Sequence, residues 1–435
     1  MPTLNKIGTA LSRSHRTASA DPALRTLRIA LTAFFAVDGF LFAGWVVRIP
    51  AIKAQVGASA GQLGLALLGV SVGAVATMVL TGRLCRMLGS ERVTVLTAVV
   101  LAVSVALPPR THSALGLGLV LLLFGAGYGG LNVAMNSVAV DLVAALRRPV
   151  MSSFHAAYSL GGLLGSGLGG LLAPHLSPAT HLLLLTPIGL VATAFAGRSL
   201  LAHPLSRPTW RAGQDQERTR SEDGTAPSGT QVPPPRTPPA DTKDAARSRH
   251  TRVALFVAVF GLIAGCSAYG EGALAEWGAL HLQQDLHDGP GLAAAGYACV
   301  TSAMALGRLS GTTLITRLGQ SRALVLGGMT ACGGMLLGAL APLTPLVMIG
   351  FALTGLGLAN LFPTAIARAG ELTGPSGVAV ASTVGYGGML LGPPSIGFLT
   401  DAVGLPTALT TVSALAAVAA LIAWAVRNTG SPRSV

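Results

Sequence analysis

The chain has 435 residues, of which 51% are hydrophobic and only 10% charged, against about 25% charged in an ordinary soluble domain. Of its 45 charged residues only 25 are spread over the 360 positions outside segments 1–28 and 204–250, which excludes a soluble globular body. The net charge of +13 does not indicate a nucleic-acid partner, because Lys and Arg stand in short stretches between apolar runs, the pattern of loops that flank membrane spans.

In chain order, residues 1–26 form an amino tail without a continuous apolar core or a convincing cleavage site, so a secretory leader is not expected. Apolar runs of roughly 20 residues, the length a helix needs to cross a hydrocarbon core, follow near 27–50, 62–82, 93–109, 113–140, 151–173 and 179–202. Residues 204–250 carry Pro-Pro-Pro, alternating charges and almost no apolar side chains beyond Leu205, Trp210 and Val232. Such a segment cannot bury enough to fold and reads as a disordered cytoplasmic linker. Six more runs lie near 253–280, 290–309, 322–341, 344–367, 377–402 and 405–426. The expected fold is an all-α membrane protein of twelve transmembrane helices, with bundles at 27–203 and 251–427 and a carboxyl tail at 428–435. With the amino terminus inside, Arg83, Arg86, Arg92, Arg147, Arg148, Arg317, Arg322, Arg368 and Arg427 all fall on the inner side, and only Arg48, Lys53 and Arg110 fall outside. The positive-inside rule then places both termini in the cytoplasm of a cell bounded by a plasma membrane.

The two bundles repeat each other. A constant offset of 228 carries Tyr158, Gly165 and Gly169 onto Tyr386, Pro393 and Gly397, and Gly127, Gly129 and Asn132 onto Gly355, Gly357 and Asn360. A slightly larger one lays Trp45 on Trp277 and Gly89 on Gly319. One shift shared by several helices indicates two parallel six-helix repeats.

The loop after the second span reads Gly82-Arg83-Leu84-Cys85-Arg86-Met87-Leu88-Gly89-Ser90-Glu91-Arg92. It resembles the Gly-x-x-x-Asp-Arg-x-Gly-Arg-Arg/Lys motif of the major facilitator superfamily, with Arg86 at the usual acidic position. Trp45-x-x-Arg48-x-Pro50, His155-x-x-Tyr158-Ser159-Leu160-Gly161, Glu271-Gly272 with Glu276-Trp277, and Gly385-Tyr386 through Gly392-Pro393-Pro394 resemble the fucose-permease-like branch and its uncharacterised bacterial inner-membrane members. The resemblance implies that superfamily's fold and secondary transport, without naming a solute. Related members place a Glu in the fourth helix where Asn132 stands here, which removes a proton site from that point.

Charged residues inside spans are costly and by default face the interior of the bundle. Asp38, in the first span, and Glu271, in the outer half of the seventh, are the candidates for proton coupling, with hydrogen bonding to neighbouring backbone as the alternative for Asp38. Arg48 and Glu276 lie nearer the outer surface, either as a gate pair or as snorkelling interfacial charges. Asn132, Asn136, Tyr158, Asn360, Tyr386 and Trp277 are the candidate solute contacts: Asn132 and Asn136 share one helix face, and the repeat brings Asn360 and Tyr386 to the opposite wall. Interhelical hydrogen bonding is the competing role for the polar ones. His155, about one turn from the inner boundary, reads as structural or as a relay.

Lys and Arg are absent from the middle of every expected span while two carboxylates occur there, which argues against an anionic solute. The expected function is secondary active transport of a small neutral or cationic solute by alternating access, coupled to protons in symport. Efflux of drugs or metabolites by the same fold, and a non-transporting receptor or scaffold, are the alternatives. No Ser-His-Asp set, phosphate-binding loop or metal-ligand spacing is present, and Cys85, Cys266, Cys299 and Cys332 stand singly. Neither an enzyme, a metal nor a cofactor is therefore expected. The expected partners are the solute, protons and the lipid bilayer; nothing in the sequence sets an oligomeric state beyond a monomer.

Overall fold

A computed structural model describes residues 22–146, 150–204, 240–373 and 375–427. Among the described residues the secondary structure is helical, with the elements α1 (Pro22–Val46), α2 (Ile49–Val56), α3 (Ala60–Leu88), α4 (Ser90–Ser104), α5 (Ala114–Leu146), α6 (Met151–Leu172), α7 (Pro178–Ala202), α8 (Ala240–Gln284), α9 (Pro290–Leu318), α10 (Gln320–Leu340), α11 (Thr344–Leu358), α12 (Leu361–Thr373), α13 (Pro375–Val403) and α14 (Leu405–Ala425). Ten stretches of the described chain are long and apolar enough to cross a membrane, α11 and α12 counting as one. With α6 and α13, whose 22 and 29 residues also reach that length, the set is consistent with the twelve expected crossings.

Local chemistry sets the helix ends. Ser59 opens α3 with a capping box, its hydroxyl accepting from the Gln62 N–H while the Gln62 side chain accepts from the Ser59 N–H. Gly89 and Gly319 turn the chain between α3 and α4 and between α9 and α10 at φ of 90° and 83°, a backbone region that a Cβ opposes. These are the two positions that the repeat superposes. One expected span is interrupted: at Pro363 the ring lacks an N–H and crowds the carbonyl of Ala359, so the helix breaks between α11 and α12. Its repeat counterpart, Met135, leaves α5 continuous through 33 residues.

Two expected boundaries shift. Of the linker reading, residues 205–239 lie outside the described residues, whereas 240–250 form the first turns of α8; the Ala and Arg of this stretch are good helix formers. Helix α9 runs nine residues past the expected limit at 309, which places Arg308 within a helix instead of at its end.

In the first half α1 packs on α6 and α7 and α3 on α5; in the second, α8 packs on α13 and α14 and α10 on α11 and α14. The halves meet through α3 with α13 and α6 with α9. These contacts gather at the face away from the termini: Gly397 packs on the Ala60 carbonyl and Gly170 on the Gly291 carbonyl, where a Cβ would fall within about 2.5 Å and 3.1 Å of backbone oxygen. The halves are thus sealed at that face.

Candidate functional site

Between the halves lies a cavity of about 610 Å³ whose lining runs from Glu276 to Ile315 and Gln320. Gln320 begins α10 at the face that carries the termini, so the cavity opens there and is closed at the other end.

Four of the chain's five tyrosines line it: Tyr128 and Tyr158 from the first half, Tyr297 and Tyr386 from the second. The Tyr128 and Tyr158 hydroxyls lie 3.1 Å apart. Tyr128 stacks on Phe42 at 4.9 Å between centroids, and Tyr386 meets Phe362 edge-on at 6.1 Å. Stacking of this kind fixes the rings and leaves the hydroxyls as the variable polar ends.

The wall of the second half carries an ion pair, Arg308 Nη2 donating to Glu271 Oε2 at 3.3 Å, with the two side chains 33% and 31% exposed. At 1.5 Å per residue, Glu271 lies about 20 Å from the Gln284 end of α8, which is mid-depth. The expectation that Lys and Arg are absent from the middle of every span is therefore corrected by Arg308. The run expected near 290–309 leaves Arg308 at its edge, yet the helix continues through Ser310, Gly311 and Thr312. The argument against anions from a missing cation loses its premise.

Of the expected solute contacts, Asn132, Tyr158, Asn360 and Tyr386 line the cavity, and His155 stands near its mouth, edge-on to Phe35 at 5.3 Å. Asn360 occupies the break before α12 and donates to the Gly307 carbonyl at 2.7 Å. Asn136 and Trp277 are not brought to the cavity. Asn136 turns back to the Asn132 carbonyl at 2.8 Å, and Trp277 is buried against the core with no hydrogen-bond partner for its indole N–H among the described residues.

The two proton-coupling candidates separate. Glu271 faces the cavity, while Asp38 is fully buried and both its carboxyl oxygens are without partners among the described residues; a charge held there costs several kcal/mol. The expected gate pair does not form in this state. Arg48 instead donates from Nε to Nδ1 of His181 at 2.8 Å, and Glu276 lines the closed end of the cavity with Oε2 unpartnered among the described residues. His181, on α7, and the two further tyrosines, Tyr128 and Tyr297, escaped the sequence reading, which drew its tyrosines from the repeat offset.

A second set of contacts holds the closed face. The Asp401 carboxylate accepts from Ser59 Oγ at 3.0 Å, the Ala60 N–H at 3.0 Å and the Gly61 N–H at 2.8 Å, so one half caps a helix of the other. Deeper in the same interface, Pro393 has no N–H for the Met389 carbonyl, and Ser71 of α3 donates to that freed oxygen at 3.4 Å.

A sequence profile of the Major Facilitator Superfamily matches residues 29–343 and 260–435. An uncharacterized transporter of Sinorhizobium fredii is 33% identical over 396 residues, covering 90% of this chain and 96% of the relative. An uncharacterized MFS-type transporter of Yersinia pestis is 30% identical, covering 91% and 94%. Among solved structures, the nucleoside transporter NupG aligns at a TM-score of 0.66 with 14% identity, over 92% of this chain and 99% of that one, and a D-xylose-proton symporter at 0.68 with 12% identity, over 91% and 97%. Two helical halves closed over one central cavity, a match along nearly the whole chain and relatives at this identity together place the chain in the Major Facilitator Superfamily, as a membrane transporter and not an enzyme.

Proposed function

We propose that the protein is a proton-coupled secondary transporter of a small neutral or cationic polar solute, with both termini in the cytoplasm and the present state open to that side. The observation that carries this reading is the cavity itself: it lies between the repeats, is sealed at one face, and presents four tyrosine hydroxyls, two asparagine amides and the Glu271–Arg308 pair to its interior. Carboxylates outnumber the one guanidinium, which favours a cationic or hydroxyl-bearing solute over an anion. Glu271 is the coupling group, since protonation removes its attraction for Arg308 and changes the wall that the solute meets. Asp38 ranks second because its carboxyl is shut off from the cavity. The proton coupling named for the D-xylose symporter of the same fold is in keeping with this role.

Proteoliposomes with an imposed pH gradient test the proposal. Accumulation of a hydroxylated or amine-bearing solute from a compound panel, abolished by collapsing the gradient, supports it. Efflux of apolar drugs with no uptake favours the export reading, and absence of any flux favours a receptor or scaffold.

A further inference from the structure

At the face that carries the termini, on the outer surface of the second half, a groove of about 760 Å³ lies between the turn into α10 and the end of α14. Arg322, Arg368 and Arg427 converge on it. Arg368 is met by Glu371 at 3.2 Å. Arg322 and Arg427 form no ion pair among the described residues, and the Arg427 guanidinium lies 4.1 Å above the Trp424 ring. The groove is therefore cationic, and its cations belong to helix ends at the boundary of the apolar band.

Below it the surface is apolar and open. Trp424 is 56% exposed and Leu326 51%, and exposed side chains continue down α10 at Met329, Leu336 and Leu340, the spacing of one helix face. Helices α10 and α14 pack side by side, and exposed apolar side chains of both, Leu421 and Val418 on α14 among them, continue from the arginines toward mid-membrane.

We infer that this groove binds an anionic phospholipid of the leaflet on the terminal side, with the phosphate between Arg322 and Arg427 and the acyl chains along α10. A free phosphate shares the headgroup chemistry but makes no use of the exposed tryptophan or the apolar track, whereas an amphiphile uses both. A zwitterionic lipid leaves the two unpaired guanidinium groups without a net counter-charge.

Brominated lipids read this contact through Trp424. Of the four tryptophans, Trp45 and Trp277 are buried, and subtraction of the Trp424→Phe signal isolates the groove. In vesicles of phosphatidylcholine with a small fraction of brominated phosphatidylglycerol, the Trp424 component is expected to be quenched as if that lipid were enriched roughly fivefold per unpaired arginine. The variant Arg322→Gln/Arg427→Gln is expected to lose the preference while quenching by brominated phosphatidylcholine stays unchanged, which also reports an intact fold. Equal quenching by the two lipids in the parent protein overturns the inference, as does a preference that survives in the double variant. Inorganic phosphate at matched ionic strength is expected to leave the preference in place; its loss there would show that a free anion occupies the groove instead of a lipid.

Discussion

The Asp401 cap joins the halves only at the closed face, so it must break whenever that face opens, and its removal shifts the balance between states. The carboxylate satisfies the Ala60 and Gly61 N–H groups and the Ser59 hydroxyl, which otherwise pass to water once the halves part. Charge-assisted hydrogen bonds contribute up to about 3 kcal/mol each when shielded. Asp401 is exposed, however, and an anion at an exposed helix start contributes only 0.3–1 kcal/mol or so. About 1 kcal/mol in all is a reasonable sum, equivalent to roughly a fivefold change in the ratio of closed to open outer face. Asp401→Ala removes every acceptor and should show the whole effect; Asp401→Asn keeps an acceptor oxygen without its charge and should fall between. Spin labels at Ala54→Cys and Val403→Cys, in a background without the native cysteines, report the separation across this face. The long-distance population should rise in the order parent, Asn variant, Ala variant. Identical distributions in all three would refute the reasoning, because the contacts would then carry no preference between states.

Glu271→Gln is expected to abolish accumulation driven by a pH gradient while solute exchange persists, and equal gradient-driven accumulation at matched expression removes Glu271 from the coupling role in favour of Asp38→Asn. In transport measurements Arg48→Ala and Glu276→Gln should combine additively within about 0.5 kcal/mol, as groups that share no contact do; strong coupling would show that they meet in another state. Arg48→Ala and His181→Ala, by contrast, should be strongly non-additive in thermal stability, since removing either partner of a buried hydrogen bond leaves the other unsatisfied at a cost of about 1–3 kcal/mol. Asn360→Ala should lower solute affinity and stability together, because its amide both faces the cavity and holds the Gly307 carbonyl.

Architecture was legible because membrane spans advertise themselves through length and apolarity, and because the repeat left identical residues at one offset. Gly89 and Gly319, related by the slightly larger offset, extend this: their superposition predicts two equivalent turns, and both turns need the same positive φ. Half of the cavity was legible for the same reason, as Tyr158, Tyr386, Asn132 and Asn360 occupy equivalent places in the two repeats. What escaped was whatever the repeat does not duplicate. Arg308 has no cationic counterpart in the first half, and an apolar run near 290–309 leaves it at the edge. Tyr128 and Tyr297 look like ordinary residues of glycine-rich helices until stacking and burial orient them. Arg48, in the turn after α1, and Glu276, on α8, stand toward the same end of equivalent spans in the two repeats, which suggests a pair, but that equivalence does not specify side-chain direction, and Arg48 Nε donates to His181 instead.

The asymmetry between the two faces follows from the same comparison. In the loop between α3 and α4 the position where the superfamily motif places Asp is Arg86, so an acid at that position is not available to cap a helix of the other half at the terminal face, and the loop's one carboxylate, Glu91, stands in the first turn of α4. At the opposite face Asp401 does supply such a cap, to the start of the same helix α3. One helix thus has a cross-half carboxylate at its beginning and a cation near its end, and stabilisation by a helix-start anion is confined to the state closed at the Asp401 face. The two states are therefore unequally supported, in favour of the one open toward the termini. Placing the acid back with Arg86→Asp should move the spin-label distances at the Ala54 and Val403 positions toward the open form, in the same direction as Asp401→Ala, and combining the two should move them further. If Arg86→Asp leaves those distances where they are, the resting state is set by the packing of α3 on α13 and of α6 on α9, with charge at the loop contributing nothing.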